Sequence, residues 1–207
     1  MVQEHLADAL SYEHFVRNSI AKIHHTEIVY ADIIKIHVSE GGRGSQKQTY
    51  ETAFEFKDGR TFVIAIKKAI SRRAVRDGFE PNELHRLMVL SGRARTPLFG
   101  EALFTDQYKL YSEEFIDGAI VGHRVIPLNF QTVKEIAASW ASVFKAIGAP
   151  DKNGNYIAVR DMQDENIMYR LRDGVIQKRE GTSLNMPPVV VDIGVTETRS
   201  PYSIAAE

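Results

Sequence analysis

Hydrophobic positions change their spacing several times along the chain, and each change marks an element. Val2, Leu6, Ala9, Leu10, Val16, Ile20 and Ile23 recur near a helical period, which predicts an amphipathic helix over 2–23. From Glu27 the pattern shifts: Ile28 to Val38 is rich in β-branched residues and reads as a strand. Gly41, Gly42 and Gly44 then predict a tight loop over 40–46. Tyr50, Thr52, Phe54 and Phe56 alternate with polar residues, Asp58-Gly59 is a two-residue hairpin turn, and Arg60 to Lys67 is the next strand. Pro81 opens a helix whose apolar stripe is Leu84, Leu87 and Met88 and which stops near Ser91-Gly92. Strands follow at 101–104 and 108–112, and 113–130 reads as irregular.

The clearest helix runs from Thr132 to Ile147, with Val133, Ile136, Ala137, Trp140, Val143, Phe144 and Ile147 on one face. Thr132 and Glu135 have capping-box spacing, and Gly148 with Pro150 marks the stop. Short strands at 156–159 and 167–171, a turn at Asp173-Gly174, and the very apolar Val189-Val190-Val191 complete the pattern. Helix, three strands, helix, two strands, long helix and short hairpins make an α+β layout in two segregated parts, divided near 113–118.

Composition narrows the class. Hydrophobic residues are 43% and charged residues 26%, which is ordinary for a globular chain with a real core. A formal net charge of -1 gives no general attraction to nucleic acid or to an anionic membrane. Arg72, Arg73 and Arg76 form a short basic run that reads as a solvated face. With no cysteine, disulfides, thiolate nucleophiles and Cys-based metal sites are excluded. The N-terminus lacks the basic-then-apolar plan of a signal peptide, and no apolar run approaches the roughly 18 residues needed to span a bilayer. The expectation is a cytoplasmic protein with no nucleic-acid or membrane partner. His24-His25 has no ligand at helical spacing and reads as surface.

Chemistry concentrates toward the C-terminal end. Asp161 and Asn166 lie in Val159-Arg160-Asp161-Met162-Gln163-Asp164-Glu165-Asn166, and Asp192 directly follows an apolar strand and precedes Ile193-Gly194. An amide oxygen and a carboxylate are hard donors suited to Mg²⁺. A second carboxylate can orient a hydroxyl and accept its proton. Near the other end, period two places Val63, Ala65 and Lys67 on one strand face. A small alanine leaves room for a flat base, and the next side chain along that face delivers a positive charge. Lys67 needs an anion to fix its head group, and Glu83, at the border of the helix stripe, is favoured over Glu80.

These segments resemble the protein-kinase signature set. H-R-D-x-x-x-x-N is similar to Val159-Arg160-Asp161 through Asn166, D-F-G to Asp192-Ile193-Gly194, and V-A-I-K to Ile64-Ala65-Ile66-Lys67. G-x-G-x-x-G is similar to Gly42-Arg43-Gly44-Ser45-Gln46-Lys47, with Lys47 in place of the third glycine. Tyr111 to Gly118 resembles the hinge. The resemblance, which runs over about residues 34 to 207, implies a two-lobed kinase-like fold with an antiparallel N-lobe sheet, one helix and a truncated or minimal helical C-lobe. It implies ATP and Mg²⁺ as cofactors and transfer of the γ-phosphoryl to a hydroxyl of a protein or small-molecule substrate. Asp161 would be the catalytic base, and Asn166 and Asp192 the metal ligands. Lys67, braced by Glu83, would meet the phosphates under Gly42 and Gly44. Ala65, the Glu114 carbonyl, the Ile116 N–H and Met168 would hold the adenine. Arg160 implies control by a phosphorylated segment, with Thr196, Thr198 and Ser200 as acceptors. The implied division is a helical extension at 1–26, an N-lobe at 27–112, and a hinge with a partial C-lobe at 113–207.

The departures keep two other readings open. Val159 and Ile193 replace the usual His and Phe, an aliphatic pair for an imidazole–aromatic contact. Gln163 stands where protein kinases carry a lysine, and with Lys47 it favours a pseudokinase, a nucleotide-binding scaffold. A small-molecule kinase of the same fold is the other alternative.

Overall fold

The computed structural model describes residues 2–43, 47–72, 75, 88, 90–106, 109–120, 126–148, 156–159, 166–191 and 196–199. The chain is α+β and divides into two compact units, Met1–Leu84 with Leu98–Phe115, and His85–Pro97 with Ile116–Glu207.

In the first unit, helix α1 (Val2–His24) precedes a short 3-10 turn (Tyr30–Asp32) and five strands: β1 (Ile33–Arg43), β2 (Lys47–Phe56), β3 (Thr61–Ala69), β4 (Phe99–Phe104) and β5 (Lys109–Glu114). They form one antiparallel sheet in the order β1-β2-β3-β5-β4. The β2–β3 turn falls at Asp58-Gly59 as the sequence predicts. Gly59 takes φ 82°, and the Asp58 carboxylate accepts the Arg60 N–H at 3.0 Å.

Period-two alternation sorts the sheet into two faces. Phe54, Phe56, Ile64, Ile66 and Leu110 point to one side, where Phe15, Val16, Ile20 and Ile23 of α1 cover them. The helix is therefore part of this unit's core. Its approach is close: Ser19 Oγ meets Ser112 Oγ at 2.6 Å, and Ser112 Oγ accepts the Glu101 N–H at 2.9 Å. A Cβ on Gly100 would strike Ser112 Oγ and come within 3.0 Å of Ile23, so only glycine fits where α1 crosses β4.

Two sequence expectations shift here. The first strand starts at Ile33, because Tyr30–Asp32 turns first and the Asp32 carbonyl accepts the Lys57 N–H at 3.0 Å. Gly41 and Gly42 extend β1 instead of forming a loop; Gly41 lies so near the Thr49 carbonyl that a Cβ would sit 3.2 Å from it. β1 is an edge strand, and Ile34, Ile36 and Val38 on it are exposed.

In the second unit, β6 (Gly118–Ile120), helix α2 (Phe130–Ile147), β7 (Tyr156–Val159), β8 (Ile167–Arg172), β9 (Val175–Ile176), β10 (Val189–Val190) and β11 (Thr196–Arg199) follow in order. The strand at 118–120 lies in a stretch expected to be irregular; three residues are too short to show a period. α2 begins earlier than expected. Asn129 is the N-cap, accepting the N–H groups of Gln131 and Thr132, while Thr132 Oγ1 accepts the Asn129 N–H at 2.7 Å. Glu135, expected to serve the cap, instead accepts from Gln131 Nε2 and from the Tyr169 hydroxyl, both at 2.7 Å. Burial, joined by that carboxylate, pushes the Tyr169 phenol well above its ordinary range. The core of this unit is Leu90, Ile126, Trp140, Val143, Ile167, Tyr169 and Val190. Met88, expected on an apolar stripe, is exposed; the rest of the helix predicted from Pro81 lies largely outside the described residues. Among the described residues no helix is long and apolar enough to cross a membrane.

Candidate functional site

Strand β3 carries Ala65 and Lys67 on the sheet face turned away from α1. The register sets Lys67 opposite Tyr111 and Ala65 opposite Glu113 on β5, and Lys67 opposite Thr49 on β2. All these side chains emerge on one face because directly opposed residues share a side. Lys67 Nζ lies 2.6 Å from Glu113 Oε1, with only 9% and 7% of the two side chains exposed. Tyr111 is buried beside this pair, its ring centroid 5.8 Å from Lys67 Nζ and equally 5.8 Å from Lys47 Nζ. Lys47 also donates to the Tyr111 hydroxyl at 3.3 Å, and Phe99 stacks on the ring at 6.3 Å. Among the described residues, two ammonium groups beside one electron-rich ring, with the Glu113 carboxylate in contact, make a cationic corner on the sheet.

The sequence reading placed Tyr111 and Glu113 in the hinge-like stretch and gave neither a role beside Lys67; Glu83, the anion expected there, lies outside the described residues. A signal was present. Tyr111 and Glu113 share one parity in a strand, while Leu110 and Ser112 share the other with the core. An acid alternating into a sheet face next to a lysine strand is a candidate partner.

β5 ends at Glu114, whose N–H donates to the Leu98 carbonyl at 2.8 Å and whose carboxylate accepts the Leu98 N–H at 3.3 Å. Ala65 is buried. Gly42 is exposed near the end of β1, and a Cβ there would meet nothing within 4 Å. Gly44 and Glu83 lie outside the described residues.

In the second unit, two antiparallel pairings bracket the segments that carry the remaining candidates. β7 pairs with β11, Val159 opposite Thr196 and Tyr156 opposite Arg199. β8 pairs with β10, Ile167 opposite Val190, and the Val191 N–H donates to the Asn166 carbonyl at 2.9 Å. The described residues on either side of 160–165 and 192–195 are thus paired: Val159 with Thr196, and Asn166 with Val191. Asp161 and Asp192 belong to those segments and lie outside the described residues. Asn166 is half-buried at the mouth of the inner pairing. Met168 is half-buried between Ile120 of β6 and Val189 of β10, and Ile116 is buried just before β6.

Comparison with protein-family models and with curated proteins returns no match to this chain.

Proposed function

We propose that the chain is an ATP- and Mg²⁺-dependent phosphotransferase that moves the γ-phosphoryl group to a hydroxyl, with the two-lobed arrangement of a protein-kinase-like fold. The observation that carries the reading is the double pairing in the second unit: β7 with β11 outside, β8 with β10 inside. It joins the residues that flank Asp161 in sequence, Val159 and Asn166, to those that flank Asp192, Thr196 and Val191. Such a frame suits a task that needs a base and two oxygen ligands held in register.

Asp161 orients the acceptor hydroxyl and takes its proton as the oxygen attacks the γ-phosphorus; the bond to the bridging oxygen breaks and ADP leaves. Asn166 and Asp192 offer the hard oxygen donors that hold Mg²⁺, which neutralises charge on the phosphates. Lys67 pairs with phosphate oxygens, with Glu83 as the helix-borne acid of the resemblance and Gly42 and Gly44 admitting the phosphates close to backbone. Ala65, Glu114, Ile116 and Met168 hold the base.

A second reading, a nucleotide-binding scaffold that transfers nothing, is favoured by Gln163, where the resembling kinases carry a lysine, and by Lys47 in place of the third glycine.

Thermal melting with and without Mg-ATP, beside Asp192→Asn, tests the reading. A ligand at about 100 times its Kd adds roughly 2.7 kcal/mol to stability. The parent is expected to shift and Asp192→Asn not to; no shift in the parent sinks both readings. Asp161→Ala is expected to keep the shift and lose transfer to a hydroxyl substrate, whereas a parent that shifts without transferring selects the scaffold.

A further inference from the structure

A cation meant for phosphate must be held in place before the ligand arrives, and the group that holds Lys67 is visible on the neighbouring strand. We propose that Glu113 is the positioning residue for Lys67, so that the phosphate-binding ammonium takes an anchor from β5, within the sheet itself. This rests on the phosphotransferase reading and deepens it.

Four observations carry the assignment. The contact is short and dry, 2.6 Å between side chains that are 9% and 7% exposed. It is set by the backbone ladder: Lys67 opposes Tyr111 and Ala65 opposes Glu113, so the acid sits one pleat along from the lysine on the same face. Tyr111 lies beside the pair, its ring centroid 5.8 Å from Lys67 Nζ and its ring stacked on Phe99, which the register sets opposite Glu113. Glu113 also directly precedes Glu114, the residue whose carbonyl the reading gives to adenine. One strand then fixes the cation and presents the base-binding backbone.

Energetics favour a functional reason for the pair. A buried ion pair contributes little net stability, because desolvating both charges cancels most of their attraction; an apolar pair of similar volume would serve the fold as well. What the carboxylate adds is a fixed place for the ammonium. An ammonium has three N–H donors, and the contact with Glu113 Oε1 needs only one of them.

The test uses the full chain with Glu113→Gln, Glu113→Asp and Glu83→Gln. The first readout needs no nucleotide: the acid dissociation of the Lys67 ammonium, followed by side-chain NMR. Removing the carboxylate in Glu113→Gln is expected to raise its dissociation constant at least tenfold. No change there, or a change confined to Glu83→Gln, overturns the proposal. The second readout is Mg-ATP affinity by calorimetry. Glu113→Gln is expected to weaken it about tenfold or more, and Glu113→Asp, which keeps the charge one methylene further back, to recover most of that loss. A folded Glu113→Gln that binds Mg-ATP like the parent overturns the positioning role and leaves the phosphotransferase reading standing. A parent that binds no Mg-ATP overturns that reading, while Lys67 dissociation still decides whether Glu113 holds the lysine. If Glu113→Gln does not fold, Glu113→Met, apolar and of similar volume, carries both comparisons, and parent-like values in both count against the proposal.

Discussion

On the α1 side of the five-stranded sheet, Phe54, Phe56, Ile64, Ile66 and Leu110 lie against Phe15, Val16, Ile20 and Ile23. On the other side, the same strands present Ala65, Lys67, Tyr111 and Glu113. Adjacent residues of one strand thus serve opposite ends. Ile66 contributes to stability through area removed from water. Lys67 is buried just as deeply yet gains little from burial, since its charge must be matched. A sheet with one helix-covered face can afford polar chemistry on the other because the first face supplies the cohesion.

The sharpest way to break the contrast is to cut into each face in turn. Phe54→Ala should cost about 3–5 kcal/mol in urea unfolding, since the ring is fully buried. Glu113→Ala should cost a similar amount, about 3–5 kcal/mol, by removing the carboxylate that faces the buried Lys67 charge. The double change Lys67→Met with Glu113→Leu separates the two faces: most stability should return while Mg-ATP binding does not. If the double variant stays as unstable as the single one, the pair is structural and the contrast fails.

Smaller effects sharpen the α1 side. Gly100→Ala should destabilise by about 1–3 kcal/mol, because its methyl collides with Ser112 and Ile23; a neutral result would mean α1 can move off β4. Thr52 is buried on this face with its hydroxyl unmatched, so Thr52→Val should raise stability by about 1 kcal/mol. A loss instead would reveal a partner for that hydroxyl.

The smallest effect depends on pH. Burial pushes the Glu101 carboxyl up, but Lys22, Asn18 and the Ala102 N–H together hold it below its ordinary range. A carboxyl depressed in the folded state stabilises fully above its unfolded pKa, about 4.3, and loses that contribution as pH falls through the folded value. Glu101→Gln should therefore flatten the acid limb of the stability curve and cost only about 0.2–1 kcal/mol at neutral pH, the groups being partly exposed. Parallel acid limbs in the two proteins would rule out this tie.

Much of the frame was legible because it follows from period and turn chemistry. β2 and β3 declare themselves through alternation around Asp58-Gly59, and α2 through the stripe containing Trp140 and Val143. Its start was misplaced because Thr132 fits two roles; Asn129, with its amide oxygen three residues earlier, wins the cap. The pairing of β7 with β11 and of Asn166 with Val191 joins residues distant in sequence, and no local pattern encodes it. The contact of Lys67 with Glu113 depends likewise on strand order, which places β5, and not β4, beside β3.

That strand order also bears on how the first unit assembles in time. β1, β2 and β3 join neighbours in sequence, so they close short loops and can pair early. β5 must cross the intervening chain before it meets β3, and its arrival brings Glu113 to Lys67. The cationic corner is therefore expected to be a late product of folding, with conservative changes at Leu110 slowing folding less, relative to their cost in stability, than changes at Phe54. A nascent chain would hold its meander before it could bring Glu113 to Lys67.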